Sequence, residues 1–216
     1  MPERQGDASA NERAYRSIRG GILDGQLPGG TMLSEAALAS DLGVSRTPVR
    51  AALIRLQEEG WVTIFPQRGA QVRALSDRAV SELAHTKVLL ETGSVRAAKA
   101  HARARLAQDL PPELDRQRQA LHDRDLPAFI ELSIAFHRAF AAASGNGVLL
   151  ELYDRLADRQ RFLLHSYGDQ LLDRAAEIVD EHRAMIDAVA AGDDDAFAAA
   201  LFHHLAETYG EAPFGH

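Results

Sequence analysis

One stretch, which runs from Ser34 to Val72, limits the possible folds of this chain more than any other. It reads as a short helix, a tight turn, a longer helix and two strands joined by a second turn. Ser34 and Ser45 are good N-caps for the two helices, and Gly43 suits the left-handed backbone of the turn between them. Two helices joined by a short glycine-containing turn form a helix-turn-helix. With the strand pair that follows, the pattern predicts a winged helix-turn-helix.

The second helix of this motif has an apolar face and a polar face. Val49 and Leu53 lie on the apolar face, whereas Arg46 and Arg50 lie one turn apart on the other. A helix that enters the major groove presents its first residues to base edges, and arginine pairs bidentately with guanine. Arg68, in the turn of the hairpin, is placed to reach a phosphate or the minor groove. The residues expected to contact DNA are Ser34, Glu35, Ser45, Arg46, Thr47, Arg50, Arg68 and Gly69.

The charge of the chain is unevenly distributed. The whole sequence carries a net charge of −7. Its first 75 residues contain nine arginines and eight acidic residues, a net charge of +1, so the remainder carries −8. Attraction to phosphates must therefore come from arginines that cluster on one face rather than from the total charge. We expect a modest, salt-sensitive affinity for DNA that depends on dimerisation.

The motif also resembles a known family. The sequence LSEAALASDLGVSRTPVRAALIRLQEEGWV, followed by QRGAQV, is similar to the DNA-binding domain of GntR-family bacterial transcription regulators. A lone helix-turn-helix is a weak signal, but VSRTPVR with a strand pair and a basic Arg-Gly turn after it is a specific one. The resemblance implies a double-stranded DNA operator as the partner of this part of the chain.

The rest of the chain shows helical periodicity only. From Ser76 onwards the apolar residues follow six segments separated by proline, glycine or aspartate, which predicts an antiparallel six-helix bundle. The fold class is thus mainly α, with a winged helix-turn-helix before an all-α domain. The predicted segments are 77–106, 112–123, 125–143, 147–167, 170–191 and 194–209. The predicted domains are a tail at 1–10, the DNA-binding domain at 11–75, the helical domain at 76–210 and a second tail at 211–216.

Composition points to a cytoplasmic protein. The sequence contains no cysteine, no apolar run of membrane-spanning length and no signal-peptide pattern at its start. Disulfides and thiolate chemistry are therefore excluded, and we expect no membrane partner.

Three of the nine histidines stand out because each lies on the apolar face of its helix. They are His137, His182 and His204; His203, the neighbour of the last, falls on the other face. His182 and His204 each lie about ten residues from the turn at Gly192, or roughly 15 Å along each helix, so an antiparallel pair would bring them level. Buried imidazoles need partners for their nitrogens. Three of them on three helices favour a shared divalent metal, such as zinc, nickel, manganese or iron.

A second resemblance supports this interpretation. The sequences FHRAFAAASGN, EHRAMIDAVAAGD and ALFHHL are similar to the FCD-type effector domain of the FadR subfamily of GntR regulators. The resemblance implies a divalent metal held by one aspartate and three histidines, here His137, His182 and His204, and a small carboxylate effector. Ser133 stands where the family has its aspartate, and Lys87 where it often has an arginine. We expect both to face the effector, and zinc, nickel or manganese as the ion.

The sequence thus predicts a homodimeric transcription regulator, a repressor rather than an enzyme. Its effector is expected to alter the placement of the two domains through the short linker near Leu75 and Ser76. The alternative is a metal-dependent enzyme with a helix-turn-helix appendage, which would use metal-bound water as its nucleophile. The sequence argues against this alternative, because no acidic residue is placed with the histidines as an obvious general base. A third interpretation, in which the bundle only dimerises and the histidines are core residues, predicts no bound metal.

Overall fold

The computed structural model describes residues 9–210, and the chain divides into two compact units, of which the first ends at Ala74 and the second begins at Leu75. The two predicted tails fall almost wholly outside the described residues, although the first helix already begins at Ala10. From residue 9 onwards, the first unit contains three helices and three short strands. In chain order they are α1 (Ala10–Leu23), β1 (Met32–Leu33), α2 (Glu35–Asp41), α3 (Arg46–Glu58), β2 (Val62–Phe65) and β3 (Gly69–Val72).

The sheet of the first unit has one more strand than predicted. β2 and β3 form the expected antiparallel hairpin, and β1 pairs with the other edge of β3, so that Leu33 lies opposite Ala70. A two-residue strand is too short to show an alternating pattern, which is why the sequence does not reveal it. Gly69 permits the close approach: its φ is +101°, and a Cβ there would lie 2.3 Å from the carbonyl oxygen of Leu33.

The predicted apolar face of α3 is confirmed as core. Val49 and Leu53 are buried and pack against α1, whose Ile18 and Ile22 are also buried. Because the core takes one side of α3, the polar side with Arg46 and Arg50 remains exposed.

The second unit is helical throughout its described part, which confirms the fold class. Up to residue 210 it contains eight helices where six were predicted. They are α4 (Asp77–Ala97), α5 (Ala100–Asp109), α6 (Pro111–His122), α7 (Leu126–Ala142), α8 (Gly147–Tyr167), α9 (Asp169–Asp173), α10 (Ala175–Ala191) and α11 (Asp194–Tyr209).

The two extra helices arise where a predicted segment is interrupted. The segment 77–106 breaks between α4 and α5, where Ala98 and Lys99 have extended backbone with ψ of 133° and 155°. The guanidinium of Arg103 donates hydrogen bonds to the carbonyls of Val95 and Ala98, at 2.7 and 3.3 Å, and so caps the end of α4. The segment 170–191 is interrupted at Arg174, which separates α9 from α10.

Helix α7 lies at the centre of the second unit. It packs against α4, α6 and α8, and its Phe129, Ile130, Phe136 and Phe140 are buried in the main apolar cluster. The same helix carries Ser133 and His137, which are also buried. Helices α10 and α11 pack together as a pair and bring His182 and His204 to this core. No helix among the described residues is both long and apolar enough to span a membrane.

Candidate metal centre and DNA-binding surface

A groove on the first unit gathers most of the residues expected to contact DNA. It has a volume of about 570 Å³ and lies between α2, α3 and the turn that joins β2 to β3. Ser45 and Thr47 are exposed at the start of α3 but do not line the groove. The expected DNA-contacting residues that do line it are Ser34, Glu35, Arg46, Arg50, Arg68 and Gly69.

Two polar residues that line this groove, Ser34 and Glu35, also make hydrogen bonds within the unit. The hydroxyl of Ser34 accepts a hydrogen bond from the backbone N–H of Ala37, at 3.4 Å, and so caps α2. Glu35 accepts two hydrogen bonds from the guanidinium of Arg50, at 3.0 Å from Nε and 2.8 Å from Nη2. These bonds lower the pKa of the Glu35 carboxyl below its ordinary value. The carboxylate therefore stays charged beside Arg50.

In the second unit the three predicted histidines meet inside the core. The Nε2 atom of His204 lies 3.3 Å from Nε2 of His137 and 3.4 Å from Nε2 of His182. One ring nitrogen from each lies within 4.8 Å of the other two. All three side chains are buried, whereas the neighbouring His203 is exposed. Three helices, α7, α10 and α11, thus place one imidazole each at a single point.

Each of these histidines has an acceptor on its other nitrogen. The acceptors are Glu91 Oε2 at 2.9 Å from Nδ1 of His137, Gln117 Oε1 at 2.7 Å from Nδ1 of His182, and Glu181 Oε2 at 2.7 Å from Nδ1 of His204. Because each partner accepts, each Nδ1 carries the hydrogen and each Nε2 presents its lone pair to the other two. Metal-binding histidines are commonly oriented by a carboxylate or carbonyl partner in this way.

Burial keeps these imidazoles neutral. It lowers the pKa of His137 to about 4. It lowers the pKa of His182 well below the ordinary value, and that of His204 below it. Three lone pairs that converge with no proton between them repel one another, and a cation at their meeting point would relieve that repulsion. The residues present therefore fit a divalent metal of the kind that imidazole prefers.

A buried polar network lies behind His137. The ammonium of Lys87 contacts Oε1 of Glu91 at 2.8 Å and donates to the hydroxyl of Tyr153 at 2.6 Å and to Gln160 at 3.2 Å. Burial opposes ionisation of Glu91, but Lys87 and His137 lower the pKa of its carboxyl to about 2. Lys87 is thus fully buried, is paired with Glu91, and does not line the small cavity beside the histidines.

A small cavity adjoins the histidines, and Ser133 lies in its wall. Its volume is about 10 Å³, close to the space that one water molecule needs. Gln160, Thr208 and Tyr209 add neutral polar groups, and apolar side chains complete the wall. None of its lining residues is acidic, lysine or arginine: they are Phe129, Ser133, Gln160, Leu164, Leu171, Ile178, His204, Thr208 and Tyr209.

Two carboxylates lie beside the histidines but are not placed as general bases. Acidic residues do accompany the histidines, since Glu91 and Glu181 each contact one of them. Glu181 directly precedes His182 but binds His204, on the next helix, so the order of residues does not reveal the pairing. Glu91 follows Lys87 by one helical turn, and this spacing in the sequence indicates that the two charged side chains lie on the same face of α4. Both carboxylates face Nδ1 atoms, so neither lies where a general base for metal-bound water would.

Both parts of the chain match known protein families. Residues 10–72 match the bacterial regulatory proteins of the gntR family, and residues 82–207 match the FCD domain. The chain belongs to the GntR family of transcription regulators and carries an FCD domain. The sequence-based resemblance is thereby confirmed, and the GntR regulator described here is a DNA-binding transcription factor rather than an enzyme.

Individual relatives agree with this assignment. An HTH-type transcriptional regulator in an unstable DNA locus of Streptomyces ambofaciens is 33% identical over 195 residues, which cover 88% of this chain and 80% of the relative. The HTH-type transcriptional repressor RspR of Escherichia coli K12 is 29% identical over 202 residues, 91% of this chain and 86% of the relative. The crystal structure of a GntR regulator from Rhodococcus sp. RHA1 superposes with a TM-score of 0.75 at 25% identity, covering 95% of this chain and 98% of that one.

Proposed function

We propose that this GntR regulator is a homodimeric repressor whose FCD domain senses a small carboxylate through a divalent metal ion. His137, His182 and His204 would hold the ion, which supplies positive charge to bind the effector. One observation carries the proposal: three buried Nε2 lone pairs converge, and each ring is oriented by an acceptor on its far side. Repression, rather than activation, is proposed because the E. coli relative is named a transcriptional repressor.

The DNA-binding half of the proposal rests on the groove between α3 and the hairpin turn. Arg46, Arg50 and Arg68 line it together, which concentrates positive charge in a unit with a net charge of only +1. So few cations give few phosphate contacts, and useful affinity then requires two units on two half-sites of a roughly palindromic operator. We assign the dimer contact to the helical unit.

The signal from effector to operator would pass through α4. This helix begins at Asp77, two residues after the second unit begins, and the hydroxyl of Ser76 caps it by accepting the N–H of Ala79 at 3.2 Å. The same helix carries Glu91, the partner of His137. An effector that moves His137 would therefore act on the helix that follows the linker near Leu75 and Ser76 in the sequence.

Metal analysis combined with a ligand screen tests this function. The protein is purified without chelators, its metal content is measured, and its thermal unfolding is followed with zinc, nickel or manganese and then with small carboxylic acids. We expect bound metal, a higher unfolding temperature with metal, and weaker operator binding with the right acid. A protein that takes up none of the three metals would instead support the interpretation in which the histidines are ordinary core residues.

A further inference from the structure

The charges around the histidine cluster cancel one another. Glu91 pairs with Lys87 at 2.8 Å, and Glu181 pairs with Arg174 at 2.6 Å. A further carboxylate, that of Glu207, lies 4.0 Å from Arg174 but is half-exposed, so water screens its charge. Each carboxylate that orients a histidine is therefore matched by a cation from the protein itself. The imidazoles are neutral ligands, and the nearby Ser133 is a neutral hydroxyl. The protein thus brings no net negative charge to the ion that the histidines would hold.

The cavity beside the cluster supplies no negative charge to the ion either. Its lining contains no acidic residue, and the polar side chains that it does contain are neutral. A divalent ion here would keep both its charges in a buried, poorly solvated place, where charge interactions are much stronger than in water. The missing negative charge then has to come from the bound effector.

Building on the proposed metal site, we propose that the effector is a compact dianion, of the dicarboxylate class, rather than a monocarboxylate. Two negative charges neutralise a divalent ion held by three neutral histidines, whereas one leaves a buried positive charge. Compactness follows from the cavity, which has room for about one water molecule and must open for anything larger. Ser133 sets this charge preference because a carboxylate at that position would supply one of the two charges.

The test compares two three-carbon acids that differ by one charge, malonate and propionate. Their affinities for the zinc-loaded, full-length protein are measured by calorimetry in a buffer without carboxylate or phosphate. We expect malonate to bind at least about ten-fold more tightly than propionate. The Ser133→Asp variant is expected to lose most of this preference, because it supplies one negative charge itself. The Ser133→Ala variant keeps the site neutral and is expected to retain the preference.

The outcomes separate this inference from the function on which it rests. Failure to bind zinc removes the metal site and the inference together. A protein that binds zinc but takes up propionate as tightly as malonate overturns only the inference. The wild-type comparison decides the matter even if Ser133→Asp does not fold, since the ratio of the two affinities needs no variant.

An independent observation concerns Arg50 on the DNA-binding surface. Its side chain is 65% exposed, yet Glu35 of the preceding helix holds it side-on through Nε and Nη2. A guanidinium has five N–H donors in a rigid plane. Glu35 occupies one edge of that plane and leaves the hydrogens of Nη1 and the outer hydrogen of Nη2 free. That free edge is the one that can match O6 and N7 of guanine.

We infer that Glu35 is a positioning residue for base recognition by Arg50. By fixing the plane of the guanidinium before DNA binds, it lowers the entropy cost of the contact. Glu35 also places a negative charge near DNA phosphates, which weakens binding to any sequence. The two effects act oppositely: the carboxylate strengthens binding to the correct base and weakens binding in general.

Because the two effects have opposite signs, a test on specific and unrelated DNA can distinguish positioning of Arg50 from a purely structural role of Glu35. Binding of Glu35→Ala is measured against an operator selected from random DNA, and against an unrelated duplex, at fixed salt. We expect the affinity for the operator to fall by about ten-fold and that for the unrelated duplex to rise. In an Arg50→Ala background, Glu35→Ala should no longer lower operator affinity. Equal loss on both duplexes, or the same loss without Arg50, would show that Glu35 does not act through Arg50.

Discussion

Arg46 and Arg50 lie on the exposed side of α3, one helical turn apart, and both line the groove that faces the hairpin turn. Replacing either by alanine is expected to weaken operator binding by roughly five- to hundred-fold, because each can contact a base edge. Arg68→Ala should weaken binding less, and equally for all sequences. Fluorescence anisotropy at moderate salt measures these changes. Unaltered operator affinity after both α3 arginines are replaced would mean that another face docks on DNA.

The histidine cluster leads to a second prediction. His182→Ala and His204→Ala should each remove bound metal and, with it, the rise in unfolding temperature that metal produces, because each deletes one converging lone pair. His203→Ala is the matched control: its side chain is exposed on the same helix as His204 and should leave both properties nearly intact. Metal analysis and differential scanning fluorimetry report the two effects. A His182→Ala variant that still retained metal would exclude this ligand set.

How far these residues could be predicted depends on where their partners lie. The three histidines follow from local periodicity and from the equal distance of two of them to one turn. Their hydrogen-bond partners do not, because Glu91 and Gln117 lie 46 and 65 residues from the histidines they contact. No local pattern encodes such a distance; only the packing of α4 and α6 brings the side chains together. The contact of Lys87 with Tyr153 is hidden for the same reason, because the two residues lie 66 positions apart.

The three-stranded sheet depends on one glycine. Gly69→Ala is expected to destabilise the first unit by more than about 1 kcal/mol, because alanine is strained at a φ of +101°. The added Cβ would also meet the carbonyl of Leu33 and separate β1 from β3. Operator affinity should fall more than for Arg68→Ala, since the whole hairpin turn moves. Denaturant unfolding monitored by circular dichroism measures the stability.

A second glycine in the same unit provides a control of opposite sign. Gly20 lies inside α1, where a Cβ would meet nothing within 4 Å. Gly20→Ala should therefore stabilise the unit by about 0.5–1 kcal/mol through the higher helix propensity of alanine. If the two substitutions changed stability alike, the close contact at Gly69 would not be the cause.

Elements with local signals were predicted well, and those without them were not. The Ser34 cap and the turn of the helix-turn-helix, the hairpin and the helical character of the second unit are all visible in the sequence. Ser45, also predicted as a cap, precedes α3 but its side chain makes no capping hydrogen bond. The break between α4 and α5 is not, because it falls in a run of good helix formers from Arg96 to Ala102. It is stabilised by Arg103 on the far side of the break, through hydrogen bonds that exist only in the folded chain.

The proposed dimer is testable on the full-length protein. The first unit has nearly zero net charge, so a single copy makes few phosphate contacts and a dimer on two half-sites should bind far more tightly. We expect light scattering to show a dimer at micromolar concentration, and operator affinity to drop when one half-site is scrambled. A stable monomer with full affinity for the operator would contradict this.

The histidine cluster has a consequence for how the second unit holds together. Its three histidines and their partners belong to five helices: α4, α6, α7, α10 and α11. The cluster therefore connects residues as far apart in the sequence as Glu91 and His204. A chain with no cysteine cannot form disulfides, and a metal at this point would serve as a cross-link in their place. Metal should then slow amide hydrogen exchange in all five helices at once, so that they open as a single cooperative unit while α5 and α9 continue to open on their own.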